Sequence, residues 1–293
     1  MGAVRRHRNA TRDTAHAVRI KHPFVDQMLD FYTWAAPLYD EAAGGAHDRA
    51  GDRLAELAGA AAHERVLDVG CGTGLVTHRL GGDPDHGGYT LGVDISEAML
   101  EVARAARPAG SVAVFALMDA AELVLRDSAF DVVTFGQVLP YLVEPQAALA
   151  EAHRVLRDEG RIAVSCQRRS LCTPAEDVFF GILEEMGSGF RIPRLPDHHR
   201  LFGEPWVLKE LLAQSGFDGI TTTQLVMGNH TPDARAWVDL MMQSGPYPHG
   251  LLSLLQPAGR ARFEQRVDSA MRELGESAFT YHRAFTFAVA HRV

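Results

Sequence analysis

Residues Val66 to Gly74 read VLDVGCGTG, an apolar run that passes directly into a turn dense in glycine, and Leu91 to Leu100 read LGVDISEAML, a second apolar run that ends on Asp94. Glycines 70, 72 and 74 permit a tight turn and a close backbone approach to a ligand, because no Cβ blocks φ > 0 or the path of another group. An acid at the end of the following strand can accept both hydroxyls of a ribose. The two stretches together describe a cradle for a nucleoside.

Spacing narrows the choice of nucleoside. A dinucleotide fingerprint requires G-x-G-x-x-G opening a helix whose first amides hold a pyrophosphate, whereas Asp68 to Gly74 reads D-x-G-x-G-x-G, with the third glycine one place early. The leading carboxylate of Asp68 repels a pyrophosphate and suits a cation or an ammonium. A ligand carrying ribose, ammonium and sulfonium fits better than a nicotinamide dinucleotide. On these residues the chain resembles the class I S-adenosylmethionine-dependent methyltransferases, whose first motif has this form, and S-adenosylmethionine is the cofactor the resemblance implies.

Composition sets outer bounds. The 293 residues are 46% hydrophobic and 23% charged, enough for one large α/β domain with an insertion or for two small ones. A net charge of −8 argues against a broad footprint on nucleic acid, so a small-molecule substrate is expected. Three cysteines, Cys71, Cys166 and Cys172, lack zinc-ligand spacing and form no disulfide framework, which fits a reducing cytoplasm and assigns no metal. No apolar run is long enough to span a bilayer. Neither a membrane nor a nucleic acid is an expected partner, and a homodimer is left open.

The chain reads as a basic arm over 1–22, an aromatic helical lid over 23–63, a cofactor-binding α/β unit over 64–230 and 276–293, and a helical insertion over 231–275 that caps the substrate. Strands are expected at 66–69, 90–94, 112–117, 131–135 and 161–166, with helices near 74–80, 96–105 and 145–156. Continuous apolar strands separated by helical crossovers mean a parallel sheet covered on both faces. Ser96 reads as an N-cap, Pro145 as a first-turn residue, and Gly160 as the stop of the helix before the fifth strand. Further strands are expected at 220–226 and 284–291. The fold class is therefore α/β, a doubly wound Rossmann-like sheet that is mostly parallel, with a helical lid and insertion; the resemblance implies an antiparallel last strand.

A ligand of an open α/β sheet binds outside the carboxyl ends of the strands, where the connections reverse direction. That gathers Asp68, Gly70, Cys71, Gly72, Gly74, Asp94 and the ends of the third and fourth strands. Asp94 is expected at the ribose hydroxyls, with Ile95 and Met99 against the adenine face. The resemblance implies that Asp119 accepts from the adenine amino group, that Ala120 offers its amide to the ring, and that Gln137 meets the amino-acid tail or the acceptor. Trp34-Ala-Ala-Pro-Leu-Tyr39-Asp40 is similar to a lid element of the family, which places Tyr39 over the cofactor; packing alone is the other reading of these aromatics.

Methyl transfer from a sulfonium needs positioning, desolvation of the acceptor and, for a hydroxyl or an acidic carbon, a base. His198 and His199 lie in a Pro-rich excursion able to reach the pocket, and Tyr141 and Tyr39 are hydrogen-bonding alternatives. Phe31, Trp34, Tyr141, Phe179, Phe190, Trp206, Met227 and Trp237 are expected to form an apolar wall. The resemblance extends to small-molecule methyltransferases of bacterial secondary metabolism, antibiotic biosynthesis included, or quinone metabolism. Two alternatives remain: a methyltransferase-like cyclase that keeps the cofactor's methyl group in place, and a nicotinamide-dependent oxidoreductase.

Overall fold

A computed structural model describes residues 22–40, 45–80, 87–168, 174–186, 201–231, 233–242, 249, 252–275 and 280–293. Residues 1–21 of the basic arm, Cys172, Phe190, His198 and His199 lie outside the described residues. Seven strands form one sheet: β1 (Arg65–Val69), β2 (Tyr89–Asp94), β3 (Val114–Leu117), β4 (Phe130–Gly136), β5 (Leu156–Arg168), β6 (Phe217–His230) and β7 (Thr280–Arg292). Their order is β3-β2-β1-β4-β5-β7-β6. The first five run parallel, and β7 slots between β5 and β6 antiparallel to both. The order reverses between β1 and β4, which places the ligand crevice at the carboxyl end of β1.

Alternation along the strands assigns the two faces. Val66, Val132, Ala163, Phe285 and Phe287 pack with Leu54 of α2 (Ala46–Ala58) on one side. Leu67, Val133, Phe135, Ile162, Val164 and Ala288 meet α4 (Pro145–Val155) and α6 (Pro205–Gln214) on the other. Period-two burial of this kind is what fixes strand register. α3 (Glu97–Ala105) packs on β3 and is N-capped as expected, the Met99 N–H donating to Ser96 Oγ at 3.4 Å. α1 (Pro23–Ala35) buries Phe24, Met28, Phe31 and Ala35, one stripe at helical spacing, and continues into a single 3-10 turn at Ala36–Leu38. A third cluster stands apart from the sheet, where Phe179 of α5 (Pro174–Met186), Trp237 of α7 (Ala234–Met242) and Phe263 of α8 (Pro257–Leu274) pack edge to face at 5.1–5.2 Å.

Two local expectations are corrected. Residues 74–80 form successive turns instead of a helix: His78 and Leu80 donate to the carbonyls of Gly74 and Val76, while the Thr77 hydroxyl is drawn inward to Asp68 at 2.6 Å. Gly160 does not stop α4, because the helix has already ended at Val155 and β5 begins at Leu156. The strand makes an irregular step between Leu156 and Arg161, with Glu159 left-handed at φ 60. Gly160 fits there because a Cβ would stand 2.8 Å from the Arg157 carbonyl oxygen.

Candidate functional site

The glycine loop is stitched to β2 from both ends. Gly70 and Cys71 donate their N–H groups to the Val93 carbonyl at 2.7 and 3.0 Å, and Gly72 donates to Asp94 Oδ2 at 2.8 Å. Gly70 has φ 67, and a Cβ there would lie 2.3 Å from Val138 Cγ2, so the loop and the segment after β4 touch through this glycine. Gly72 has φ 54 with nothing within 4 Å of a Cβ position, so its side facing the crevice is open for a close backbone approach to a ligand.

Two adjoining cavities lie along this loop. The larger, about 390 Å³, is walled by Asp94, Ile95, Met99, Met118, Asp119 and Ala120 from the ends of β2 and β3, and by Val138, Tyr141 and Leu142 after β4. Val25, Met28, Leu29 and Tyr32 of α1 close it from above. The smaller, about 50 Å³, is walled by His47, Asp68, Cys71, Thr73 and Ser165. Tyr39, Gly70, Gly72, Gly136 and Gln137 belong to both walls. The Cys71 thiol is buried, and desolvation, then the Asp94 and Asp68 charges, pushes it well up. Gly74 lies outside both walls, under His78 and Ala103.

The acids differ in environment. Asp68 is 1% exposed, accepts from the Thr77 hydroxyl at 2.6 Å and the Thr134 hydroxyl at 2.7 Å, and is pushed up to about 6 by burial against the pull of those hydroxyls. Asp94 accepts from Gly72 and, through Oδ1, from the Ser96 N–H at 2.8 Å; burial raises its carboxyl despite these donors. Its side of the loop lines the larger cavity. Asp119 accepts from the Ala121 N–H at 2.9 Å, which fixes its turn. Asp131, the second residue of β4, has a structural role: burial pushes its carboxyl up, but the Arg65 N–H and the Arg157 and Arg65 side chains hold it below the usual range.

The segment that follows α1 is anchored beside the loop. Thr73 Oγ1 donates to Asp40 Oδ1 at 2.5 Å, and the Tyr39 ring stacks on His47 at 5.0 Å. Tyr32 stands edge-on to Tyr39 at 6.1 Å and to Tyr141 at 6.4 Å, so three phenols line one passage. Burial, then the proximity of Tyr141, Asp94 and Asp40, raises the Tyr39 phenol, which stays a neutral donor. Behind them Arg283 of β7, itself buried, places Nη1 3.5 Å from His47 Nε2. A guanidinium can only donate, so a hydrogen bond at this contact is accepted by His47 Nε2.

Among the described residues of the expected apolar wall, only Tyr141 lines the larger cavity. Phe179 and Trp237 fill the core of the α5-α7-α8 cluster, Met227 is buried against α2 with Arg49 donating to its sulfur, and Trp206 is exposed. Phe31, buried, and Trp34, partly exposed, both pack on His249, whose ring stacks on Trp34 at 4.1 Å. A large apolar side chain serves core and pocket equally well, so its sequence position does not separate them. The wall is formed instead by α1 and the Tyr141-Leu142 turn. Sequence reading missed His47, Thr73, Ser165 and Arg283; only Arg283 left a signal, an arginine in phase with the inward Phe285 and Phe287.

Comparison with known proteins agrees with this geometry. A methyltransferase-domain family profile matches residues 67–164. The ubiquinone/menaquinone biosynthesis C-methyltransferase UbiE of Pseudomonas fluorescens is 31% identical over 229 residues, which cover 73% of this chain and 83% of that protein. The chain belongs to the class I S-adenosylmethionine-dependent methyltransferases. S-adenosylmethionine is the cofactor of this family, and the open glycine loop and the acid at the end of β2 fit its nucleoside half. A malonyl-acyl-carrier-protein O-methyltransferase of Hahella chejuensis is 30% identical over 157 residues, 53% of this chain and 55% of that one, so the chain spans about half the length of this relative. Among solved structures, the (4+2) cyclase SpnF superposes with a TM-score of 0.53 at 23% identity, covering 90% of this chain and 94% of that one, a likeness of fold. Among the described residues, no helix of this methyltransferase-family chain is long and apolar enough to cross a membrane, and no cluster of metal-binding side chains occurs.

Proposed function

We propose that the protein transfers the methyl group of S-adenosylmethionine to a carbon, oxygen or nitrogen of a mainly apolar small molecule in secondary or quinone-type metabolism, in the cytoplasm. The observation that carries this reading is the pair of cavities that share the glycine loop. The larger, walled by Asp94, Asp119 and apolar α1, suits an adenosyl group, and the smaller, polar one suits an amino-acid end.

In this reading Asp94 accepts from the ribose hydroxyls while its bond to Gly72 holds the loop in shape. Ile95, Met99 and Ala120 bracket the adenine, and Asp119 accepts from its amino group. Tyr39, His47, Thr73 and Asp68 surround the amino-acid end, with the Asp68 charge acting from beneath the loop. When bound, the cofactor supplies an electrophilic methyl group. This chain's own contribution is orientation and exclusion of water: α1 covers the crevice, and the Thr73 to Asp40 bond ties that cover to the loop. In this reading Tyr141, one of three phenols that line the larger cavity, holds an acceptor hydroxyl. The helical insertion over 231–275 serves as the acceptor cap. No observation favours the cyclase reading, and family membership leaves the nicotinamide reading without support.

Incubation of the protein with methyl-labelled cofactor and a host metabolite extract, followed by native and small-molecule mass spectrometry, tests the proposal. The expected result is a labelled acceptor together with S-adenosylhomocysteine. A product isomeric with its substrate, formed while the cofactor keeps its label, would sink methyl transfer and promote the cyclase.

A further inference from the structure

The end of β4 carries a strained residue at the junction of the two cavities. Gln137 has φ 63, a left-handed conformation that is strained for a non-glycine residue and that gathers at functional sites. One partner residue holds it twice. The Gln137 N–H donates to the Ser165 carbonyl at 3.0 Å, and its Nε2 donates to Ser165 Oγ at 2.9 Å. Ser165 is 1% exposed, sits on β5 opposite Gly136 in the parallel register, and lines the smaller cavity.

If the adenosyl group fills the larger cavity and the amino-acid end the smaller, the sulfonium that joins them sits at the wall common to both. That wall is Tyr39, Gly70, Gly72, Gly136 and Gln137. The glycines offer only backbone, which leaves Tyr39 and Gln137 as the side chains present. With Nε2 engaged by Ser165, the other face of the Gln137 carboxamide is its oxygen, a partial negative charge. Such an oxygen attracts a sulfonium and its polarised methyl, and has much less attraction for the neutral thioether left after transfer.

We propose that Gln137 Oε1 faces the sulfonium and methyl of the cofactor, and that Ser165 is the positioning residue that keeps this oxygen turned toward them. The pair reads the cofactor's charge, favouring S-adenosylmethionine over S-adenosylhomocysteine and easing release of the spent form. The inference rests on the cofactor reading above and adds to it a means of discrimination.

Titration calorimetry of the full chain with each of the two compounds separates these ideas without an acceptor. Gln137→Ala is expected to weaken S-adenosylmethionine roughly tenfold, the worth of one hydrogen bond to a charged group, and S-adenosylhomocysteine by no more than about twofold. Ser165→Ala shifts the same ratio in the same direction by a smaller factor, and Ser165→Thr, which keeps the hydroxyl, restores it. Gln137→Glu covers the case in which the alanine variants fail to fold: it should favour the sulfonium further, with the gain lost as pH falls and the new carboxylate protonates. Equal weakening of both ligands in Gln137→Ala, or an unchanged ratio in the folded variant, overturns the inference while the cofactor reading stands. Failure of the wild-type protein to bind either compound overturns both.

Discussion

Replacing Asp68 with Asn removes a buried charge while keeping the shape of the side chain, and burial gives the sign of the effect and its order of magnitude. The native carboxyl is pushed from 3.8 to about 6, chiefly by burial. Between those two values the native state holds a proton that the unfolded chain has released, so the contribution of this group to stability falls as pH rises, and the full penalty is present above about 6. At roughly 1.36 kcal/mol per pH unit the gap amounts to about 3 kcal/mol. Asn can accept from one of Thr77 and Thr134 and donate to the other, since each hydroxyl works both ways. Urea unfolding of the wild type and of Asp68→Asn across pH 4.5 to 7.5 isolates this contribution, because other titrating groups cancel in the difference. The wild type should lose about 2 kcal/mol relative to the variant on going from the acid to the neutral end of that range, the rest of the penalty being already present at pH 4.5. In the same variant S-adenosylmethionine should bind more weakly at neutral pH. A difference in stability that is flat, or that moves in favour of the wild type as pH rises, would refute the assignment of a strained buried carboxylate.

Asp94→Ala should weaken S-adenosylmethionine by about 1 to 3 kcal/mol in calorimetry through lost charge-assisted hydrogen bonds; an unaltered affinity in the folded variant would falsify the ribose role. Gly70→Ala brings a Cβ to 2.3 Å from Val138 Cγ2 at φ 67, and should cost about 1 to 3 kcal/mol in thermal unfolding. Adding Val138→Ala should recover the steric part and leave the backbone part; no recovery would mean that the clash is not the cause. Trp237→Ala empties the centre of the α5-α7-α8 cluster and should cost about 3 to 5 kcal/mol, whereas Trp206→Ala on the exposed face of α6 should stay within about 0.5 kcal/mol. Denaturant titration of the two variants compares them directly, and equal effects would contradict their burial.

Val66 to Gly74 and Asp94 were legible because their message is local. A strand declares itself by continuous apolar residues, a left-handed turn by glycine, and an N-cap by a serine before a helix, each settled within a few residues of chain. The boundaries were less legible. Leu156 ends α4 and starts β5 at once, an event governed by pairing to Phe130 across the sheet rather than by Gly160 beside it.

By itself, the sequence determined the doubly wound sheet, the place where its connections reverse, and the acids and glycines at that place. Only tertiary structure decided which side chains share a wall. His47 meets Arg283 across 236 positions of chain, Gln137 meets Ser165 across 28, and Phe179 is claimed by Trp237 and Phe263 for a core of their own. The physical reason is that secondary structure follows from short-range backbone preferences, whereas a pocket is the space left when distant segments have packed, and a phenylalanine or tryptophan gains the same burial on either side of that boundary.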